Sequence, residues 1–165
     1  MDATAEQEFR DYVVARGPAL QRLAHAIAGG AAEAEDAVQE ALIRVYMAWP
    51  RIRRRDAVDA YTRRVLVREL MSRRRQRLAR PTGAMLSEPS MVSADAGIAE
   101  RDVLRRALLQ LPPRQRAVVV LRFLEDLSEA QTAEALGISP GAAKTHASRG
   151  LTRLRELLGP PEVAS

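Results

Sequence analysis

Apolar positions recur along this chain with a helical period, and no stretch sustains the two-residue alternation of a half-buried strand. Phe9, Tyr12 and Val13, then Leu20, Leu23, Ala24 and Ile27, set out a first helical segment. Gly17-Pro18 predicts an interruption there, because proline lacks the amide and crowds the preceding turn. Gly29-Gly30 predicts the end of the segment. A second helix is predicted from about Ala32 to Trp49. Ala34, Ala37, Val38, Ala41, Leu42, Val45, Tyr46 and Trp49 form its core face, and Pro50 stops it. A third helix is predicted from about Asp56 to Gln76. Near the C-terminus, Ser128 caps a short helix whose apolar positions are Ala130, Ala133 and Leu136. Gly137 supplies the backbone freedom of a sharp turn. Ser139 then caps a longer helix, with Pro140 in its first turn and Ala143, Ala147, Leu151 and Leu154 on its buried stripe. The pattern is that of an all-α protein.

Residues 81–97, PTGAMLSEPSMVSADAG, are rich in Pro, Gly, Ser and Ala and carry no period. They predict a flexible linker. On either side lie a helical domain over about 1–80 and a second over about 98–158. Domains of that size are marginal alone and gain rigidity from a partner. The tail, 159–165, holds two prolines and is expected to fray.

A small first helix, a tight turn and a longer second helix form a helix-turn-helix, whose second helix enters a major groove. Here the outer face of that helix carries Lys144, Thr145, Ser148, Arg149 and Thr152. With Ser139 and Gly141 at its start, Lys144, Thr145, Ser148 and Arg149 are the candidate DNA contacts. The spacing alone also admits an ordinary helical hairpin with a solvated charged face.

The second predicted helix has an unusual back. At 100° per residue, Asp36, Gln39, Glu40, Ile43 and Met47 share one sector facing away from the core stripe. Aliphatic side chains set between carboxylates and an amide suit a docking site for a basic protein surface. Two stray exposed apolar residues would give the same pattern.

Charge is distributed very unevenly. The 165-residue chain has net charge +5, yet residues 1–50 hold eight acids and four arginines, net −4. Residues 51–80 hold twelve arginines against Asp56, Asp59 and Glu69, net +9. On the third predicted helix Arg64, Arg68 and Arg75 share a stripe beside Tyr61, while Arg63 and Arg74 lie on another. Guanidinium groups bind phosphates and an aromatic ring can stack on an unpaired base, so Tyr61, Arg64, Arg68, Arg74 and Arg75 are candidate nucleic-acid contacts.

Other chemistries find little support. There is no cysteine, which excludes disulfides and thiolate chemistry within the chain. The two histidines, His25 and His146, are too few and too far apart to suggest a metal site, and His25 reads as a packing residue. No Gly-rich phosphate loop, nucleophile or His cluster points to catalysis, so neither a catalytic residue nor a cofactor is expected. The acidic, polar start MDATAEQEFRDY is unlike a signal peptide, and no apolar run approaches a membrane span. A cytoplasmic protein without membrane contact is expected.

Two separate stretches resemble one known family. LPPRQRAVVVLRFLEDLSEAQTAEALGIS (Leu111 to Ser139), followed by GAAKTHASRGLTRLRE, is similar to region four of the extracytoplasmic-function sigma factors. AEAEDAVQEALIRVYMAW (Ala32 to Trp49), followed by AYTRRVLVREL, is similar to their region two. The resemblance implies an alternative sigma factor that binds core RNA polymerase and directs it to promoters. It implies that the helix carrying Asp36, Gln39 and Glu40 docks on a coiled coil of the largest subunit, with the flap region as a further polymerase contact. The arginine-rich helix would then serve the downstream (−10) element and its melted strand, and the helix-turn-helix the upstream (−35) element. An anti-sigma factor is a further candidate partner. The chain departs from its relatives in having Arg68 where asparagine is frequent and Ala142-Ala143 in place of Thr-Val. The string Lys144-Thr145-His146 also occurs in LuxR-type regulators, but those usually carry a sensing module with strands.

Overall fold

The computed structural model describes residues 1–79 and 96–160. Among them lie seven α-helices and no strand: α1 (Ala3–Ile27), α2 (Ala31–Ala48), α3 (Arg55–Ala79), α4 (Ala96–Leu109), α5 (Pro113–Val119), α6 (Glu129–Leu136) and α7 (Pro140–Leu158). A 3₁₀ turn, Trp49–Arg51, follows α2, and a π turn, Val120–Leu124, extends α5. Contacts divide the chain into two units, residues 1–88 and 89–165. The linker expected over 81–97 lies outside the described residues except for Ala96 and Gly97, which open α4. Of the tail, only Gly159 and Pro160 are described.

In the first unit α2 packs against both α1 and α3. Its stripe of Ala34, Ala37, Val38, Ala41 and Val45 is buried, and the small alanines let the neighbouring helices approach closely. Leu23, Ala24 and Ile27 of α1 and Leu66, Val67 and Leu70 of α3 complete the interior. At the other end Val45, Trp49 and Val58 form a cluster against which Phe9 and Tyr12 pack. Phe9 meets the rings of Trp49 and Tyr46 edge-on at 5.2 and 5.1 Å. Tyr12 donates to Thr62 Oγ1 at 2.8 Å, and Thr62, fully buried, donates in turn to the Val58 carbonyl at 2.8 Å. Burial of the ring raises the Tyr12 pKa, the Thr62 bond opposing it, so the phenol stays protonated and ties α1 to α3.

Three sequence expectations need correction here. The interruption at Gly17-Pro18 does not occur, and α1 runs through Pro18 unbroken. The carbonyl that loses its partner to Pro18 belongs to Val14, which is 79% exposed, so water can satisfy it. Apolar contacts before and after the proline hold the helix together. Tyr46, expected on the core face, is exposed and lies at the rim, where its hydroxyl bonds Glu6 at 3.3 Å. Ala130 is exposed as well, because Thr132, Ala133 and Ala135 form the buried side of α6.

In the second unit α7 packs on α4, α5 and α6. A Cβ placed on Gly150 of α7 would come within 2.6 Å of Val119 Cγ2 and 3.4 Å of the Gln115 carbonyl. Glycine is what permits the close approach of α7 to α5. Arg116 is the other unexpected interior residue. It is fully buried, and its Nη1 donates to the Leu109 carbonyl at the C-terminal end of α4 at 3.2 Å. Arg122 in the π turn donates to the Leu127 carbonyl at 2.5 Å, fastening the segment that leads into α6.

Candidate functional site

The face of α2 opposite its buried stripe stands clear of its own unit. Asp36, Gln39, Ile43 and Met47 are exposed and Glu40 is half-buried. Ile43 and Met47 expose 54% and 73% of their surface, a cost in water unless something covers them. The structure brings the five residues together on one helix face, as the 100° spacing requires. Two cations stand beside them. Arg44 Nε reaches Glu40 at 3.2 Å, and Arg73 of α3 lies 3.9 Å from Asp36. Both arginines also pair with Glu69 of α3, at 3.1 and 2.9 Å. Arg44–Glu40 and Arg73–Glu69 are pairs four residues apart on one helix, and only the packing of α3 on α2 brings Arg73 to Asp36 and Arg44 to Glu69.

The arginines of α3 separate into different environments. Arg68 and Arg75 are exposed on the outer stripe, one and three turns beyond Arg64. Arg64 is half-buried, with its guanidinium 5.5 Å from the centre of the Tyr61 ring. Tyr61 itself is half-buried against the Val45, Trp49 and Val58 cluster. Its ring is therefore held on one side by the core and attracted on the other by a cation. Arg74, in a different sector, is half-buried, with its Nε shielded from water and without a hydrogen-bond partner. The five candidates thus form a surface stripe, a cation–aromatic pair and one inward-leaning guanidinium.

Local sequence builds the helix-turn-helix. Ser128 accepts from the Gln131 amide at 3.0 Å while the Gln131 side chain accepts from the Ser128 amide at 2.9 Å, a reciprocal capping box. Gly137 ends α6 in the left-handed region, φ 68°. Ser139 Oγ then accepts from the Ala142 amide at 3.1 Å and starts α7. Ala143, Ala147 and Leu154 are buried and Leu151 is half-buried, which fixes the rotation of α7. Lys144, Thr145, Ser148 and Arg149 are consequently all exposed on its other side. Thr145 donates to the Gly141 carbonyl at 3.0 Å, leaving its oxygen lone pairs to face outward. At Gly141 a Cβ would find only Ser139 Oγ, at 4.0 Å, so the start of the helix is open to close approach.

His146 sits at the edge of this face, half-buried, with Nδ1 shielded and unbonded. Burial lowers its pKa below the ordinary imidazole value, and the charges of Arg114 and Arg149 add to the effect. Arg114 belongs to α5, 32 residues earlier, so sequence spacing gave no sign that it flanks His146 on α7. No group of three or more metal-ligating side chains occurs among the described residues. No described helix is long and apolar enough to cross a membrane.

Each unit matches a known family model. Residues 12–80 match the model of Sigma-70 region 2, and residues 101–154 match that of Sigma-70, region 4. The chain is 40% identical to the RNA polymerase sigma-E factor of Streptomyces coelicolor over 152 residues, covering 92% of this chain and 86% of that protein. It is 31% identical over 140 residues to the ECF RNA polymerase sigma factor SigM of Mycobacterium tuberculosis, covering 85% and 71%. In fold it is similar to the sigma factor RpoE of Bartonella quintana, solved in complex with the anti-sigma factor NepR. That likeness has a TM-score of 0.79 at 24% identity and covers 92% of this chain and 97% of that one.

Proposed function

This chain belongs to the extracytoplasmic-function sigma factors, initiation factors that direct RNA polymerase to promoters, and from that premise we propose how its faces divide the work. The first unit, taken as residues 1–80, docks on core polymerase through Asp36, Gln39, Glu40, Ile43 and Met47. The partner surface is the coiled coil of the largest subunit, whose basic groups suit the acids and whose apolar groups cover Ile43 and Met47. The stripe of Arg64, Arg68 and Arg75 then engages phosphates at the downstream element. Tyr61, already stacked by Arg64, helps position the melted strand.

The second unit, taken as residues 98–158, reads the upstream element through α7 while the polymerase flap region holds it in place. Lys144, Thr145, Ser148 and Arg149 span two turns, enough to reach adjacent base edges and flanking phosphates. Ser139 and Gly141 let the first turn of α7 lie against the backbone. In this reading the chain works in the cytoplasm, holds no metal or cofactor and performs no catalysis of its own. An anti-sigma factor is proposed as the partner that withholds it from the polymerase, by analogy with the Bartonella complex.

The observation that carries the reading is the set of four exposed polar residues on α7, fixed opposite the buried Ala143, Ala147 and Leu154. The test is reconstitution with core polymerase, mapping run-off transcripts genome-wide. Discrete start sites that share an upstream element and require this chain are expected. Lys144→Ala and Arg149→Ala should change promoter strength or ranking. Unchanged strength and ranking in both variants would remove α7 from the upstream-reading role.

A further inference from the structure

Three carboxylates and two guanidinium groups form a single chain of ion pairs along the seam between α2 and α3. Glu69, with only 12% of its side chain exposed, accepts from Arg73 Nε at 2.9 Å and pairs with Arg44 Nη2 at 3.1 Å. From there the pairs run outward to the docking face. Arg44 Nε reaches Glu40 at 3.2 Å, and Arg73 Nη1 stands 3.9 Å from Asp36. The order is Asp36, Arg73, Glu69, Arg44, Glu40, with alternating sign.

The links are unequal. Those to Glu69 are short and shielded from water, where a given charge pair attracts more strongly. The Asp36 contact exceeds hydrogen-bonding distance, and that carboxylate stays 63% exposed. Surface pairs of this kind are weak and easily exchanged. Arg44 bonds Glu40 and Glu69 at once, whereas Glu69 draws the Arg73 guanidinium into the seam and keeps it from closing on Asp36.

We propose that Glu69 is a positioning residue for core docking. It is too buried to meet the partner, and it acts by restraining Arg73, a cation that would otherwise occupy Asp36, an acid the partner needs. This rests on the assignment of the Asp36, Gln39, Glu40, Ile43 and Met47 face to the polymerase. Without the Glu69 charge, Arg73 turns to Asp36. A basic partner must then displace a tethered cation of high effective concentration.

The experiment is an equilibrium titration of full-length variants against core RNA polymerase. Glu69→Gln should bind about threefold to tenfold more weakly, the scale of losing one partly shielded ion contact. Adding Arg73→Gln to that variant should restore affinity, because the released competitor is gone. A merely structural Glu69 predicts the opposite, since removing its partner as well repairs nothing. Arg73→Gln alone should bind at least as tightly as the unchanged chain. Unchanged binding by Glu69→Gln, or no recovery in the double variant, overturns the proposal. Should Glu69→Gln lose its helicity, Arg73→Gln carries the test, and weaker binding by it overturns the proposal. The combined Asp36→Arg, Gln39→Ala variant is titrated alongside. If it binds normally, the docking face is misassigned. If it loses binding while the Glu69 series is flat, the face stands and the role of Glu69 does not.

Discussion

At the scale of single residues, the second unit contains two positions where ordinary expectation and local geometry give opposite answers. Gly150 lies inside α7, where replacement by alanine normally strengthens a helix by about 1 kcal/mol. Here the added Cβ would press on Val119 Cγ2 at 2.6 Å, and a β-branched neighbour on a packed helix has little room to turn away. Overpacking costs about 1–3 kcal/mol, so Gly150→Ala should be net destabilising by roughly 1 kcal/mol. Thermal or denaturant unfolding of the variant checks the sign. His146 offers a test in pH. Its folded-state pKa lies below the unfolded value of about 6.5. The unfolded chain therefore binds a proton more readily than the folded one. The stability held by the neutral imidazole is complete above that value and declines as pH falls from it toward the lowered folded value. His146→Gln should flatten this decline. If the stability of the chain and of the variant changes in parallel between pH 8 and pH 5, His146 does not contribute.

At the scale of elements, legibility in the sequence followed the range of the interactions involved. The helix-turn-helix was legible because Ser128, Gly137, Ser139 and Pro140 act on their own backbone within a few residues. The exposed back of α2 was legible for a related reason. One helix with a strong alanine–valine stripe dictates where its back points. The continuity of α1 through Pro18, the exposure of Tyr46 and the burial of Arg116 were not legible, since each depends on what another helix places there. The same holds for the links of Glu69 to Arg44 and of Arg73 to Asp36, which cross between α3 and α2. Cap chemistry also sets a prediction. α6 has eight residues, too few to stand without its ends satisfied, and Ser128 supplies half of its capping box. Ser128→Ala should cost about 1 kcal/mol, within the usual 0.5–2 kcal/mol for such caps. Because α6 supports α7, amide exchange should quicken in both helices. Exchange that quickens in neither would show that tertiary packing alone holds α6.

At the scale of the whole molecule, the sequence charge and the two-unit organisation bear on how promoter choice arises. Residues 51–80 carry net +9, so the free chain should bind any duplex through phosphates. Such binding has little regard for sequence, because phosphate contacts position a protein without identifying a base. The outer face of α7, proposed to read the upstream element, carries Lys144, Thr145, Ser148, Arg149 and Thr152, a small base-contacting surface by itself. Each unit has its own core, and combining their modest affinities requires that both engage at one fixed span. In the proposed function, core polymerase is the body that sets this span. A labelled promoter duplex and a scrambled duplex should therefore bind the free chain with nearly equal affinity and steep salt dependence. With core polymerase present, the preference for the promoter should rise to at least tenfold, about 1.4 kcal/mol. In that complex Arg68→Ala should lower the slope of log affinity against log salt by roughly 0.7–0.9, the value of one phosphate contact on single- or double-stranded DNA. Arg149→Ala gives a contrasting result if it touches a base, a loss of about 1–3 kcal/mol confined to promoters with one base pair at that position. A free chain that already separates promoter from scrambled duplex tenfold would place the specificity within one unit, and the polymerase would no longer be needed to explain it.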